Sequence, residues 1–136
     1  MAQDPSAGLA GVTAGRTTIA TVGKEGKGLT YRGYSIDDLA ERSTFEEVAY
    51  LLIYGRLPAV VELREYKEKL RRLRGLPSPL KTILEQIPLK THPMDVMRTG
   101  CSMLGTLEPE GNDRDQIAVA NRLTACFSSI PMRSPG

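Results

Sequence analysis

Tryptophan is absent from this 136-residue sequence, histidine occurs once, cysteine occurs twice, and aromatic residues make up only 5% of the chain. The two cysteines lie in apolar, helix-like surroundings without CxxC spacing and without a nearby histidine, which argues against a zinc site or a redox pair. Cys101 and Cys126 are therefore expected to be buried thiols. Leucine, isoleucine, valine, alanine and methionine are plentiful and recur at helical spacing, which favours a helical core over a β-sandwich.

The sequence also lacks a strong charge of either sign. Its 18 Lys and Arg residues against 16 Asp and Glu give a net charge of +2, so no field draws it to nucleic acid or to an anionic membrane. The segment Met1–Ser6 lacks the features of a signal peptide, and no apolar run is long enough to span a bilayer. We expect a cytoplasmic protein with neither a nucleic acid nor a membrane as its partner.

The patterns that are present predict a mostly α fold preceded by a small β-hairpin. Over residues 17–34, β-branched and aromatic residues flank a glycine-rich turn. Ser35 is a predicted helix cap, and Thr44 with Glu47 forms a predicted capping box, with Gly55 ending the helix that follows. Further helices are expected to start at Ser78-Pro79 and His92-Pro93, and the last is expected over residues 113–128.

Apolar residues at helical spacing predict the faces that these helices turn toward the core. Met94, Met97 and Met103 are interpreted as packing residues on such a face rather than as a cofactor site. The predicted core-facing residues are Ile36, Leu39, Phe45, Val48, Ala49, Leu52, Leu63, Tyr66, Leu70, Leu73, Leu80, Ile83, Leu84, Ile87, Met94, Met97, Cys101, Leu104, Ile117, Ala120, Thr124 and Phe127.

Few residues suggest chemistry. His92 stands at a helix start without a Ser, Cys or second His nearby, which favours a capping role over a catalytic one. Asp37, Asp38, Glu46 and Glu47 could be taken for a paired-carboxylate acid/base site. Their positions instead fit the first turns of helices, where the positive end of the helix dipole stabilises a carboxylate. The turn containing Gly23, Gly26 and Gly28 lacks the spacing of a phosphate-binding loop.

The helix over residues 63–74 has a basic face that could meet phosphates, including those of a coenzyme A. Lys69 and Arg72 are the candidate substrate-binding residues on it. Interleaved glutamates favour a solvated helix face instead. Both interpretations stay open. If charge reversal at Lys69 and Arg72 leaves the binding of polyanions unchanged, the phosphate-binding interpretation is excluded.

Several stretches of the chain form a recognisable combination. Tyr31-Arg32-Gly33-Tyr34 and His92-Pro93-Met94 occur with Leu73-Arg74-Gly75-Leu76-Pro77 and with Met97-Arg98-Thr99-Gly100. The combination resembles bacterial 2-methylcitrate synthases, which are members of the citrate synthase family. The resemblance covers approximately residues 7–130.

This resemblance implies a mostly helical, homodimeric enzyme. Such an enzyme condenses propanoyl-CoA or acetyl-CoA with oxaloacetate, releasing 2-methylcitrate or citrate and CoA, without a metal or a bound cofactor. In the family, two histidines and an aspartate in the later part of the chain act as electrostatic stabilisers and as general base. No residue here matches them, so no catalytic residue is assigned. The resemblance places a dimer interface on the helix after His92, with Met97, Gly100, Cys101 and Leu104 as its candidates.

The resemblance also divides the chain into an N-terminal arm (1–16), the hairpin (17–34), an incomplete helical part of the citrate synthase large domain (35–130) and a tail unlike the family (131–136). We expect a truncated or frameshifted chain that is inactive alone and exposes apolar surface. The alternative is a non-catalytic helical dimerisation module that pairs with a family member through the helix over residues 94–107.

Overall fold

The computed structural model of the chain describes residues 15–23, 28–111 and 115–132. Within them it has three short antiparallel strands and six helices, which confirms the predicted mostly α fold with a small β element. In chain order the elements are β1 (Ala20–Val22), β2 (Leu29–Tyr31), β3 (Tyr34–Ser35), α1 (Ile36–Arg42), α2 (Phe45–Tyr54), α3 (Val60–Leu73), α4 (Ser78–Gln86), α5 (Pro93–Leu107) and α6 (Gln116–Cys126).

The sheet has one strand more than the predicted hairpin. β1 and β2 pair antiparallel as expected, and β3 then pairs with β2. The reversal between β2 and β3 is tight because Arg32 and Gly33 both adopt positive φ, at 51° and 91°. The Arg32 guanidinium donates hydrogen bonds to Thr18 Oγ1 at 2.8 Å and to the Leu52 carbonyl of α2 at 3.1 Å. This side chain thereby fastens the sheet to the helices.

Three of the predicted N-terminal caps are confirmed, at Ser35, Thr44 and His92. Ser35 accepts a hydrogen bond from the Asp37 amide at the start of α1. Thr44 and Glu47 form the complete capping box of α2, and Gly55 ends that helix in the left-handed conformation with φ of 85°. His92 Nδ1 accepts from the Met94 amide at 3.2 Å, which caps α5.

Two helix starts differ from expectation. Ser78 is the first residue of α4 rather than its cap, and Pro77 holds the cap position without a side-chain acceptor. α6 begins at Gln116 and is capped by Asp115, whose carboxylate accepts from the Ala118 amide. The predicted start of this helix at residue 113 lies outside the described residues.

The core forms two clusters. The larger one lies among α4, α5, α6 and the turn after α6, and its buried members are Leu80, Leu84, Val96, Leu104, Cys126 and Ile130. The smaller one lies among α2, α3 and α6, and its buried members are Tyr66, Leu70 and Ala125. The predicted faces of α3 and α4 agree with this packing.

Four predicted core residues were wrong. Phe45, the first residue of α2, is 69% exposed, and the residue that α2 buries is Leu51. Met94 is exposed, since α5 turns Val96 inward instead. Ile117 and Phe127 are also exposed, because α6 buries a different side, formed by Asn121, Ala125 and Cys126. α6 packs against both α3 and α5, so its buried residues face two directions and do not follow one apolar stripe.

Candidate functional site

The carboxylates that resembled an acid/base pair serve helix starts. Asp37 and Asp38 lie in the first turn of α1, and Glu46 and Glu47 lie in the first turn of α2. Hydrogen bonds from the backbone and side chain of Thr44 lower the pKa of Glu47. A carboxylate held in its charged form at a cap is poorly suited to accept and release protons near neutral pH.

The two candidate substrate-binding residues have different surroundings on α3. Lys69 is half-buried, donates to Tyr54 Oη at 3.2 Å, and holds its ammonium 5.9 Å from the centre of that ring. Arg72 is exposed. Lys69 thus has an internal partner, and phosphate binding by the pair stays a prediction.

A partly buried aromatic cluster beneath Lys69 was not foreseen. Tyr50, Tyr54 and Tyr66 have ring centres 4.4 to 5.9 Å apart. Asn121, which is fully buried, donates through Nδ2 to Tyr54 Oη at 2.9 Å and to the Ile117 carbonyl at 2.9 Å. Burial raises the pKa of Tyr66 to about 12. Among the described residues, neither Tyr66 Oη nor Asn121 Oδ1 has a hydrogen-bond partner.

Arg122 joins three helices and was also missed. Its guanidinium pairs with both carboxylate oxygens of Glu108 at the end of α5, at 2.8 and 3.0 Å. It also donates to the carbonyls of Leu73 and Gly75 at the end of α3, the latter at 2.9 Å. The hydrogen bond with Glu108 raises the pKa of Arg122. A lone arginine within an apolar helix was the available signal, since such a residue is rarely buried without a partner.

The four interface candidates on α5 are largely covered within the chain. Gly100 and Leu104 are buried, whereas Met97 and Cys101 pack against the larger core cluster. A Cβ atom at Gly100 would lie 2.5 Å from Ile130 Cγ2, so the close approach that this glycine permits is to a side chain of the same chain. The interface assignment stays a prediction.

Both cysteines are free thiols. Cys126 is fully buried and Cys101 is half-buried, and burial raises the pKa of each. The burial agrees with the expectation from sequence for Cys126 and only in part for Cys101. Within residues 15–23, 28–111 and 115–132, no group of three His, Cys, Asp or Glu side chains is placed to hold a metal ion.

A concave apolar surface lies between α2, α3 and α6, and we call it the α2/α3/α6 groove. Its volume is about 790 Å³. Its lining residues are Phe45, Glu46, Ile53, Leu70, Arg74, Ala120, Leu123, Thr124, Ala125, Phe127 and Ser128. Ala120, Thr124 and Phe127, which were predicted to face the core, therefore form one wall of this groove.

Comparison with known proteins identifies the architecture. Residues 8–134 match the family model described as citrate synthase, C-terminal domain. The chain is 60% identical over 124 residues to 2-methylcitrate synthase from Shewanella oneidensis, covering 91% of this chain and 33% of that protein. It is 45% identical over 129 residues to 2-methylcitrate synthase 2 from Corynebacterium glutamicum, covering 95% of this chain and 34% of that one. The chain belongs to the citrate synthase family.

Solved structures agree with this assignment. The citrate synthase of Thermotoga maritima superposes with a TM-score of 0.77 at 36% identity, over 90% of this chain and 32% of that one. The citrate synthase of Thermoplasma acidophilum, solved as a ternary complex with carboxymethyl coenzyme A and oxaloacetate, superposes with a TM-score of 0.81 at 28% identity, over 93% of this chain and 34% of that one. The chain spans about a third of the length of the citrate synthase family members that it matches.

The length and hydropathy of the helices bear on membrane insertion. None of the helices in the described part of the chain is long and apolar enough to cross a membrane.

Proposed function

We propose that this chain is a structural part of an enzyme that condenses propanoyl-CoA with oxaloacetate, and that it functions only together with the rest of a citrate synthase family polypeptide. The observation that carries the proposal is the 60% identity to a 2-methylcitrate synthase across 91% of the chain. A role in propionate catabolism, a homodimeric assembly and a cytoplasmic location belong to the same proposal.

The chemistry explains why the chain needs a partner. The reaction removes a proton from the acyl carbon next to the thioester, joins that carbon to the ketone carbon of oxaloacetate, and then hydrolyses the thioester to release the CoA thiol. The family resemblance assigns these steps to two histidines and an aspartate. This chain has one histidine, His92, and its Nδ1 is occupied in capping α5.

A thiol-release assay with oxaloacetate and propanoyl-CoA tests the proposal. The chain is assayed alone and after co-production with the remaining two thirds of the S. oneidensis relative, with acetyl-CoA as a second substrate. We expect turnover only from the combination. A stable one-to-one complex without turnover would contradict the proposed function, and turnover by the chain alone would contradict its need for a partner.

The second candidate function is a non-catalytic interaction module. The burial of Gly100 and Leu104 on α5 leaves a different face of that helix at the surface, with Arg98, Thr99, Ser102 and Thr106 exposed. If the chain pairs with a family member through α5, these residues are the ones available for contact. Two results together would favour this candidate: the chain binds a full-length relative without increasing its turnover, and Ser102→Arg weakens that binding.

A further inference from the structure

His92 supplies the hydrogen-bond acceptors at the start of α5. Its Nδ1 accepts from the Met94 amide at 3.2 Å. Its backbone carbonyl accepts from the amides of Asp95 and Val96 at 2.9 and 3.2 Å. Pro93, the first residue of α5, has no amide hydrogen to donate. His92 thus accepts the hydrogens of the first three amides that α5 offers, one of them through its side chain.

A histidine cap depends on protonation in a way that hydroxyl caps do not. In a neutral imidazole one nitrogen accepts and the other donates, whereas both nitrogens donate once the ring is protonated. Imidazole changes charge between about pH 5 and 8. Ser35 and Thr44, which cap α1 and α2, keep their accepting oxygens throughout this range. The side-chain cap of α5 can therefore be removed by a proton.

The helix itself also opposes a charged ring at this position. The N-terminus of a helix carries the positive end of the dipole, which destabilises a nearby cation. The Met94 amide would then meet an N–H group and lose its acceptor. The folded chain consequently favours the neutral ring. The stability that the cap contributes is present above the titration range of imidazole and is lost as the pH falls through it.

The charges close to His92 along the chain reduce this effect without reversing it. Asp95 attracts an imidazolium, but its carboxylate already pairs with Arg98 at 3.0 Å, and both side chains are half exposed or more. Lys90 is exposed two residues before the cap and repels an imidazolium. An exposed ion pair contributes less to stability than a helix cap does, so loss of the cap decides the sign.

The helices packed against α5 have their charged groups elsewhere. On α4, Lys81 and Glu85 line a cavity that they share with Arg74 at the end of α3. On α6, Arg122 pairs with Glu108 at the opposite end of α5. The electrostatic balance at the ring is therefore governed by residues 90–98.

We propose that His92 is a proton-sensitive cap, which holds the first turn of α5 while the imidazole is neutral and releases that turn when the ring gains a proton. Residues 93–96 form this turn and carry Val96 into the larger core cluster, where it is 3% exposed. Release therefore loosens the contact between α5 and the core. The proposal concerns the stability of the chain itself and does not depend on the proposed function.

The composition makes a test selective, because His92 is the only histidine among the 136 residues. The chain is produced without a histidine tag, and its melting temperature is measured from pH 8 to pH 5 beside two variants. His92→Asn keeps an accepting oxygen that does not titrate, whereas His92→Ala removes the acceptor. The first variant isolates protonation, and the second gives the size of the cap.

The melting temperatures should diverge in acid. Relative to His92→Asn, the unsubstituted chain should lose about 3–5 °C between pH 8 and pH 5. His92→Ala should melt about 3–5 °C below the unsubstituted chain at pH 8, and that gap should close or reverse by pH 5. A gap between the unsubstituted chain and His92→Asn that stays the same at both pH values would overturn the proposal.

Nuclear magnetic resonance locates the change within the chain. At pH 8 the imidazole should have an unprotonated Nδ1 and a protonated Nε2, as its hydrogen bond requires. In acid, hydrogen exchange at the Met94 and Val96 amides should accelerate relative to the intrinsic rate in the unsubstituted chain but not in His92→Asn. A protonated Nδ1 at pH 8 would contradict the proposed cap, and so would full protection of these amides while the ring titrates.

Asp95→Asn separates the cap from the neighbouring ion pair. It removes the carboxylate that attracts an imidazolium, so the loss of stability in acid, measured against His92→Asn in the same background, should persist and grow. If the loss instead disappears, the pH dependence belongs to the pair of Asp95 with Arg98, and the proposal is wrong.

Discussion

Gly100 and Gly105 show how one residue type takes opposite roles on one helix. Both lie in α5, and glycine within a helix costs about 1 kcal/mol relative to alanine. A Cβ atom at Gly100 would lie 2.5 Å from Ile130 Cγ2, whereas no described atom lies within 4 Å of a Cβ placed at Gly105. Only Gly100 is therefore required by packing.

Alanine substitutions at the two positions should have opposite signs. Gly105→Ala is expected to raise the free energy of unfolding by roughly 0.5–1 kcal/mol, because it removes backbone freedom from the unfolded chain. Gly100→Ala is expected to lower it by roughly 1–3 kcal/mol, since Ile130 must shift within a packed core. Chemical denaturation of the two variants measures the difference. Stabilisation by Gly100→Ala would contradict the described contact with Ile130.

At the scale of the element, the N-terminus of α3 is capped in an unusual way. Ala59 occupies the cap position and has no side-chain acceptor, so the Glu62 carboxylate accepts from the Ala59 amide at 2.8 Å. Arg56 pairs with the same carboxylate, with one of its two hydrogen bonds at 2.8 Å. The hydrogen bonds from Arg56 and Ala59 together lower the pKa of Glu62 to about 2.

This cap should be sensitive to acid. The folded-state pKa of Glu62 lies below its ordinary value of 4.5, so its contribution to stability is present above about pH 4.5 and is lost as the pH falls toward 2. Glu62→Gln should melt below the unsubstituted chain at pH 7, and the gap should close by pH 2. Thermal unfolding followed by circular dichroism measures the gap, with Glu85→Gln as a control for loss of one exposed charge. A gap that stays constant from pH 7 to pH 2 would show that the Glu62 charge plays no part.

The elements that were predictable from sequence are those governed by local chemistry. The caps at Ser35, Thr44 and His92 depend on a side chain and an amide only two or three residues away, and all three are confirmed. β3 was missed because it depends on the positive φ of Arg32. Glycine or asparagine in a sequence indicates such a conformation, whereas arginine does not. Hydrogen bonds between residues close in sequence can be predicted from those residues alone. The chain reversal between β2 and β3 instead depends on the sheet and on the hydrogen bond from Arg32 to the Leu52 carbonyl.

At the scale of the whole molecule, the burial pattern of α6 could not be predicted from its apolar stripe. Asn121, Ala125 and Cys126 are buried because α6 lies between α3 and α5, and the stripe through Phe127 faces the open α2/α3/α6 groove. A single stripe predicts a helix with one neighbour. The family resemblance supplied the architecture, but the residues that join the helices, Asn121 and Arg122, came only from the structure.

Arg122 provides the last test, because it connects elements that are distant in sequence. Its side chain is 13% exposed and that of Glu108 is 19% exposed, so water screens their attraction only in part. Arg122→Met keeps an unbranched apolar stem but removes the guanidinium and its hydrogen bonds to Glu108 and to the carbonyls of Leu73 and Gly75. The remaining carboxylate and carbonyls then lose their shared donor, at an expected cost of roughly 2–4 kcal/mol in the free energy of unfolding.

The control for Arg122→Met is Arg72→Met on the exposed face of α3, which should change stability by no more than about 0.5 kcal/mol. Glu108→Gln combined with Arg122→Met should cost less than the sum of the two single substitutions, since the arginine loss no longer leaves a partly buried charge behind. Urea denaturation of the four variants measures these energies. Strict additivity would mean that the two side chains act independently, and that the ends of α3 and α5 are held to α6 by apolar packing instead of by this ion pair.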